Sequence, residues 1–292
     1  MRYETPEAFR AALESQLKRR ADEEDLSLNR LRKMIVFERY LARLKEVSRS
    51  RWILKGALAM EFGLGLRTRT TRDMDLAGWD DQQSALNDLL EASERDLGDF
   101  FYFRIERKTD FEIDRDSMRF RLVAELAGRV FENVILDVGI GDPELLEPPS
   151  IRLPDFLDFA GIDSVEVSLL PLEQQIAEKL HAYTRLYSEG RSSSRTKDLM
   201  DLLLIARSSS GISAQRVQVA IGGIFEARRT HEPPESLPLP PGDWEKPFAR
   251  MAEDTRVNAG LDEAYERVAG FLDPLLEGSA EGVWRTDSWS WE

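Results

Sequence analysis

Apolar and polar residues follow two different periods along this chain, and each period predicts one kind of element. Over 25–47 the apolar residues lie three and four positions apart, which predicts an amphipathic helix. The stretch 52–79 predicts a short strand, a tight turn, a short helix and a second strand. A further helix is predicted from Asp80, with four leucines on its buried side: Leu86, Leu89, Leu90 and Leu97.

Further strands are predicted where the period changes to two. Apolar and polar residues alternate over 100–106 and over 118–126, so each of these segments presents one apolar face. The run 134–140 is apolar apart from Asp137, which predicts a central strand that is covered on both faces.

The second half of the chain is predicted to be helical. Four prolines within 142–164 indicate a connection, so we divide the chain into a first lobe at 1–164 and a second at 165–292. A helix is predicted from Pro171 with Gly190 as its stop, and Ser and Thr residues are candidate caps for the next helix. Further helices are predicted at 213–228, 244–256 and 261–276, and the C-terminal EGVWRTDSWSWE is predicted to be irregular.

The composition narrows the class of protein. The 292 residues are 42% hydrophobic and 32% charged, as expected for a globular chain with a substantial core. No cysteine is present, which excludes disulfides, and His181 and His231 have no helical partner histidine, which argues against a zinc site. The sequence shows neither a signal-peptide core nor an apolar run of about 18 residues, so we expect a cytoplasmic protein with no membrane partner.

The net charge of −14 argues against a nucleic-acid binder that works through its overall field. Local clusters of basic residues can still override that field, or can be no more than solvated faces. One cluster contains Arg67, Arg69 and Arg72, and a second contains Arg185, Arg191, Arg195 and Lys197.

Asp73 and Asp75 are the first candidates for chemistry. Residues two apart in a strand point to one face, so the two carboxylates project together and repel each other unless they are solvated or neutralised. A hard divalent cation is the usual reason for such a pair, and a structural role is the alternative. Gly56 lets the backbone approach a phosphate at the start of a helix, which together with the carboxylates indicates a nucleoside triphosphate site. The similar pair Asp114 and Asp116 has no glycine turn upstream and is interpreted as solvated.

Asp137 is the third acidic candidate. A carboxylate among aliphatic side chains needs a cation, an arginine or a proton. One interpretation is a buried ion pair with a nearby arginine. The other places Asp137 beside Asp73 and Asp75 as the third carboxylate of a metal site, and the residues alone leave both open.

Four charged residues of the second half could also form a site. Lys197 and Asp201 lie four apart, and Asp198 and Asp201 lie three apart, so these side chains can touch on one helix. The default interpretation is an exposed pair that contributes about 0.3–0.5 kcal/mol. Lys179 lies on the preceding predicted helix.

Four segments occur in a fixed order between about residues 25 and 207. They are Leu54-Lys55-Gly56-Ala57, Arg69-Thr70-Thr71-Arg72-Asp73-Met74-Asp75, Leu136-Asp137-Val138-Gly139, and Glu178-Lys179-Leu180 with Arg195-Thr196-Lys197-Asp198-Leu199-Met200-Asp201. In this order they resemble the AbiEii/AbiGii toxin nucleotidyltransferases, which include the mycobacterial MenT toxins within the polymerase-beta-like superfamily. No single segment is specific, and the signal comes from the order of all four.

The resemblance implies an α+β fold, in which a polymerase-beta-like mixed sheet flanked by helices is followed by a mostly helical C-terminal lobe. It implies that Asp73 and Asp75 bind Mg²⁺, with two ions expected, and that Asp137 completes the carboxylate set. Lys179, Lys197 and Asp201 resemble the family's second-lobe residues, and Lys179 and Asp201 are expected to be catalytic together with the three aspartates.

The resemblance also assigns a set of nucleotide-binding residues. They are Lys55, Gly56, Ala57, Thr71, Lys179, Lys197 and Asp198, and the lysines and Thr71 are the candidates for the triphosphate. Two of these positions depart from the family, because Ala57 replaces its usual second glycine and Thr71 its usual serine. Alanine keeps the backbone amide and threonine keeps the hydroxyl, so we expect both to be tolerated.

From the family's characterised members, the resemblance implies that the acceptor is the 3′ end of a transfer RNA, so that the protein is a toxin that blocks translation and is neutralised by a cognate antitoxin protein. Candidate RNA contacts are Arg69, Arg72, Arg185 and Arg195. Two rival hypotheses stay open. One is a small-molecule nucleotidyltransferase of the kind that modifies aminoglycosides, and the other is a catalytically silent protein that only binds a nucleotide or a partner.

Overall fold

Most segments whose apolar period predicts a helix or a strand form that element in the structure, which is a computed structural model of the chain. The structure describes residues 1–48, 52–65, 71, 73–107, 117–185 and 195–292. They form two units, described separately below. The first comprises the described residues within Met1–Phe62, Thr70–Asp142 and Pro148–Leu169, and the second those within Gly63–Arg69, Pro143–Glu147 and Leu170–Glu292.

Among the described residues, seven strands of the first unit form one mixed sheet. In chain order they are β1 (Ile53–Lys55), β2 (Asp73–Trp79), β3 (Phe101–Arg107), β4 (Ser117–Leu126), β5 (Arg129–Ile140), β6 (Ser150–Arg152) and β7 (Glu166–Leu169). Their order across the sheet is β3-β4-β5-β2-β1-β7-β6. Strand β2 lies in the middle, parallel to β5 and antiparallel to β1.

Strands β4 and β5 form a hairpin. Ala127 and Gly128 connect them, and both have positive φ angles, of 52° and 66°, as the tightest hairpin turns require. Along β5 the side chains of Val134, Leu136 and Val138 are buried, whereas the residues between them are only half-buried. The prediction that 134–140 is covered on both faces is therefore wrong, because the face that carries Asp137 is partly open to solvent.

Helices cover the sheet of the first unit. They are α1 (Pro6–Glu24), α2 (Leu28–Ser48), α3 (Gly56–Leu64) and α4 (Gln82–Glu94). Helix α2 packs on α4, β5 and β7, as its apolar period predicts. In α4 the prediction for Leu90 is wrong, since this side chain is 44% exposed and the buried face is formed by Ala85, Leu89 and Ala92.

The second unit is mostly helical. Its helices are α5 (Leu172–Thr184), α6 (Thr196–Ser208), α7 (Ala214–Arg228), α8 (Glu245–Thr255) and α9 (Leu261–Leu276), which confirms the predicted fold class. Helix α5 ends at Thr184 because Arg185 is extended, so Gly190, which lies outside the described residues, is not its stop. The N-cap of α6 is Arg195, without a capping side-chain bond, and not a serine or threonine. No helix in the described ranges is long and apolar enough to cross a membrane.

The C-terminal segment is not irregular, contrary to the prediction. Trp284–Arg285 (β8) and Ser290–Trp291 (β9) pair as a small antiparallel hairpin. Trp284 is fully buried and its indole Nε1 donates to the Ala206 carbonyl at 2.7 Å, while the Trp291 ring stacks on Phe271 of α9 at 5.3 Å. Burial of these large rings against helices holds a segment that has little period of its own.

Candidate active site

Four charged side chains lie side by side across the middle of the sheet. In the strand register, Arg119 of β4 is opposite Asp137 of β5, Asp137 is opposite Asp75 of β2, and Asp75 is opposite Lys55 of β1. We call these four residues the charged row. Asp73 lies two residues before Asp75 and so faces the same side of the sheet. The structure thus brings the three predicted carboxylates to neighbouring positions on one face, with a cation at each end of the row.

Arg119 binds Asp137 with both arms of its guanidinium group. Its Nε donates to Oδ1 and its Nη2 donates to Oδ2, both at 2.5 Å, and the Asp137 side chain is 21% exposed. The hydrogen bond to Asp137 raises the pKa of Arg119, and the negative charges of Asp73 and Asp75 raise it further. All three carboxylates therefore act on one guanidinium group. The predicted ion pair of Asp137 with an arginine is confirmed, but it is partly exposed and not buried.

Gly56 makes room for Asp75. Its φ angle is +69°, and a Cβ placed on it would lie 2.1 Å from Oδ2 of Asp75. The group that approaches this glycine most closely is thus the carboxylate of the next strand. Gly56 also opens helix α3, so its amide and that of Ala57 belong to the first helical turn, where N–H groups lack intrahelical partners.

Lys55 reaches a fourth carboxylate, which the sequence did not single out. Its Nζ lies 2.5 Å from Oδ2 of Asp142, and the two side chains are 16% and 6% exposed. Both groups lie over Gly139, because a Cβ on that residue would be 2.1 Å from Oδ2 of Asp142 and 3.1 Å from Nζ of Lys55. Asp142 was missed because it follows the end of β5, and its partner lies 87 residues earlier in the chain.

Thr71 stabilises the start of β2. Its hydroxyl donates to the Asp73 carbonyl at 3.0 Å and accepts from the Asp73 amide at 3.3 Å. This local hydrogen bonding holds the backbone from which Asp73 projects. The predicted RNA contacts Arg69 and Arg72 lie outside the described residues, as do Arg67, Arg191 and the pair Asp114 and Asp116.

The carboxylate oxygens of Asp73, Asp75 and Asp137 are the type of ligand that a hard cation prefers. Mg²⁺ prefers oxygen ligands and is held in proteins by one or two carboxylates together with substrate phosphates. In the part of the chain that the structure describes, no three His, Asp or Glu side chains are arranged so that they could hold a metal ion. Because Arg119 uses both oxygens of Asp137, Asp73 and Asp75 are the pair that fits a cation with the Asp137 ion pair intact.

A second charged cluster lies inside the second unit. Lys179 of α5 donates to Oδ2 of Asp201 on α6 at 2.6 Å, and its Nζ is 4.0 Å from Oδ1 of Asp198. Arg195 approaches the other oxygen of Asp198 at 3.4 Å. Asp201 is fully buried and Asp198 is 5% exposed, so the default interpretation of an exposed pair on one helix is wrong. The ion pair that orders this cluster joins two helices.

The remaining predicted residues of the second unit are less enclosed. Lys197 precedes Asp198 on α6 and is half-buried, while Arg185 follows α5 and is exposed. Asp201 therefore holds Lys179 by direct contact, whereas the sequence spacing predicted a contact between Asp201 and Lys197.

His181 and His231 are not isolated, although the sequence places them far apart. Their ring centroids are 4.7 Å apart, and His181 Nε2 and Thr230 Oγ1 are 2.8 Å apart. Burial lowers the pKa of His181 to about 4, and the nearby His231, Arg228 and Arg185 lower it further. Burial also lowers the pKa of His231. The pair was missed because it joins α5 to the segment after α7, which no local period can reveal.

Comparison with known proteins places this geometry in context. The model of the family described as nucleotidyl transferase AbiEii toxin, type IV TA system, matches residues 39–273. Among solved structures, the chain is similar to the nucleotidyltransferase toxin MenT4 from Mycobacterium tuberculosis H37Rv, with 18% identity, a TM-score of 0.52, and coverage of 92% of this chain and 98% of that one. JHP933 from Helicobacter pylori matches at 16% identity with a TM-score of 0.42, over 84% and 92% of the two chains. No curated protein matches.

Proposed function

The chain belongs to the AbiEii family of nucleotidyl transferase toxins of type IV toxin–antitoxin systems, and we propose that it transfers a nucleoside monophosphate from a nucleoside triphosphate to the 3′ end of a transfer RNA. The matched range 39–273 includes the charged row and the cluster around Lys179. The observation that carries the proposal is the position of Asp75 beside Asp137, with Asp73 on the same face.

Adjacent carboxylates on one sheet face repel each other, so their placement costs free energy unless a cation neutralises them. We assign Mg²⁺ binding to Asp73 and Asp75, with Asp137 as the third carboxylate of the site. Bound Mg²⁺ would supply positive charge beside the attacking and departing oxygens. Gly56 and Ala57 offer backbone amides at the start of α3, where negative phosphate oxygens are stabilised.

The reaction exchanges one phosphorus–oxygen bond for another. The oxygen of the acceptor hydroxyl bonds to the α-phosphorus, the bond from that phosphorus to the oxygen bridging to the β-phosphate breaks, and pyrophosphate leaves. The hydroxyl proton passes to one of the carboxylates of the site, which are those of Asp73, Asp75 and Asp137. Lys55, Thr71, Lys179 and Lys197 are proposed to bind the triphosphate, with Asp198 in the nucleotide-binding set, and Asp201 holds the ammonium group of Lys179 through their buried contact.

The acceptor and the partner are proposed from the family. A transfer RNA is a polyanion, so its contacts need local positive charge in a chain of net charge −14. Arg69, Arg72, Arg185 and Arg195 are the residues that we assign to this role. A cognate antitoxin protein is the proposed partner, and the cytoplasm, where transfer RNA and triphosphates are found, is the proposed compartment.

A labelling assay tests this function. The purified protein is incubated with total RNA, Mg²⁺ and each of the four α-³²P-labelled triphosphates in turn, and the RNA is separated on a denaturing gel. We expect label on transfer RNA from at least one triphosphate, and loss of at least about 99% of it in the Asp73→Ala variant, because a carboxylate acting at the reacting phosphate is removed.

The matched control is Asp96→Ala, which removes a carboxylate in the turn after α4 and should label like the wild type. Label on a small molecule and not on RNA would support the rival small-molecule enzyme. Equal labelling by the wild type and Asp73→Ala would show that the site has been assigned wrongly, and no label with any triphosphate would contradict the proposed activity.

A further inference from the structure

We propose that Asp142 is a positioning residue that fixes the ammonium group of Lys55 for the triphosphate, an inference that rests on the proposed function. The ammonium group and the Asp142 carboxylate are 2.5 Å apart. Lys55 lies at one end of the charged row, directly beside Asp75 in the strand register. The position of its ammonium group therefore affects the neighbouring carboxylates and any phosphate that binds beside them.

Burial shows that this contact differs from an ordinary surface ion pair. The Asp142 side chain is 6% exposed and that of Lys55 is 16% exposed. A carboxylate so far from water needs a close positive partner, whereas exposed pairs contribute little. A lysine side chain loses up to about 2 kcal/mol of rotamer entropy when it is fixed. The pairing with Asp142 meets that cost before a nucleotide binds, which is how preorganisation improves binding.

The absence of a side chain at Gly139 leaves the space in which the ammonium group of Lys55 and the carboxylate of Asp142 lie. A Cβ on Gly139 would lie 2.1 Å from the carboxylate and 3.1 Å from the ammonium nitrogen. The backbone of Gly139 is not in the left-handed region, so its conformation would accept other residues. Glycine is therefore required at this position for space. Strand β5 supplies Asp137 to the charged row and, two residues later, the gap in which Lys55 and Asp142 meet.

The direction of the Lys55 side chain matters because a second carboxylate lies beside it. With Asp142 neutralised, the carboxylate of Asp75, which is the register neighbour of Lys55 on the same face of the sheet, can attract the ammonium group. An ammonium group drawn to Asp75 would compete with Mg²⁺ and would be misplaced for the triphosphate. Asp142 thus favours a geometry in which cation and lysine act on the phosphates together.

Inorganic triphosphate with Mg²⁺ is the probe, because it isolates phosphate recognition from the base and from catalysis. Its affinity is measured by isothermal titration calorimetry for the wild type, Lys55→Ala, Asp142→Asn and the double variant. We expect Lys55→Ala to weaken binding by about tenfold or more and Asp142→Asn by about three- to tenfold. In the Lys55→Ala background, Asp142→Asn should add less than about twofold, since it acts through Lys55.

Two further variants separate positioning from general damage. Gly139→Ala should reproduce Asp142→Asn, because its methyl group takes the place of the carboxylate, and it keeps the proposal testable if Asp142→Asn does not fold. Glu14→Gln removes the partner of Arg32, an ion pair of 2.7 Å between α1 and α2, and should bind triphosphate like the wild type. Thermal unfolding of every variant identifies loss of fold.

Wild-type affinity in Asp142→Asn, or an equal loss in the presence and absence of Lys55, would overturn the positioning role. Equal binding by the wild type and Lys55→Ala would overturn it as well, even if transfer RNA is still labelled. If triphosphate binding shows the expected dependence but no RNA is labelled, the inference stands and the proposed acceptor fails. Absence of triphosphate binding by the wild type would overturn both.

Discussion

Two glycines set the space in which the charged row lies. Gly56 admits the carboxylate of Asp75, and Gly139 admits the pair formed by Lys55 and Asp142. Of these two glycines, Gly56 also has a positive φ angle, of +69°. A substitution there meets two separate penalties, and a control at another glycine can distinguish them.

Replacement of Gly56 by alanine should lower both activity and stability. The left-handed backbone costs roughly 1–2 kcal/mol for a residue with a Cβ, and the methyl group must also displace Asp75. We expect RNA labelling to fall by at least about tenfold, as typical for a misplaced group in an active site. Labelling rates and urea unfolding of the variant and the wild type provide the measurements.

Gly128→Ala is the matched control for this change. Gly128 has a φ angle of +66°, but nothing lies within 4 Å of the position of its Cβ. It should lose stability through backbone strain alone and keep its labelling rate. Equal labelling rates for Gly56→Ala and Gly128→Ala would show that the contact with Asp75 has no effect on activity.

How far the sequence predicts single residues depends on how local their partners are. Asp73 and Asp75 share a face because strands repeat every two residues, and this needs no knowledge of other elements. Arg119 becomes the partner of Asp137 only through the register of β4 and β5. The role of Asp142 is harder still to predict, because nothing near Asp142 in the sequence identifies Lys55 as its partner.

Helices and strands whose apolar pattern extends over many residues were predicted correctly. Helix α2 and strands β3 and β4 follow from the spacing of their apolar residues, whereas β5 was located from an unbroken apolar run that wrongly indicated cover on both faces. Errors occurred where a distant contact decides the structure. The C-terminal hairpin forms because Trp284 and Trp291 pack on Phe271 of α9, and α5 ends at Thr184 well before the glycine that was expected to stop it.

The histidine contact between α5 and the segment after α7 should make stability depend on pH. Burial lowers the pKa of His181 to about 4, below its usual 6.5, so the folded state favours the neutral ring. Its contribution is complete above about pH 6.5, where the unfolded chain is also neutral, and decreases as the pH falls from there towards 4. We expect a loss of about 1–2 kcal/mol between pH 7 and pH 5.

Urea unfolding at the two pH values measures this loss, and the His181→Gln variant provides the comparison. Glutamine cannot take up a proton, so the variant should lose less free energy than the wild type between pH 7 and pH 5. The difference between the two proteins removes the contribution of carboxylates that titrate in the same range. Equal losses in both proteins would contradict this account.

The acidity of the chain as a whole limits how it can hold a polyanion. With a net charge of −14, long-range attraction to RNA is absent, and binding must depend on a few close contacts. Composition alone argues against nucleic acid, whereas the resemblance carried by the four ordered segments implies an RNA acceptor. Net charge does not decide between these two predictions, because it does not report where the arginines lie.

A salt titration of the transfer reaction follows from this balance. If the four assigned arginines contact phosphates, the logarithm of RNA affinity should fall with a slope of about −3 against the logarithm of salt concentration. Raising NaCl from 50 to 200 mM should then increase the KM for transfer RNA by roughly tenfold or more. The affinity for inorganic triphosphate, measured in parallel, corrects for salt effects on the nucleotide site. A KM for transfer RNA that does not change would rule out these contacts.

The hairpin of β4 and β5 has a consequence for how the protein folds. Arg119 and Asp137 are only 18 residues apart and are joined by a two-residue turn, so this contact closes a short loop. Asp75 reaches its place beside Asp137 from much farther along the chain, and long loops close more slowly. We therefore expect the charge of Asp137 to be compensated by Arg119 before Asp73 and Asp75 arrive, so that the three carboxylates meet with a counter-ion already in place.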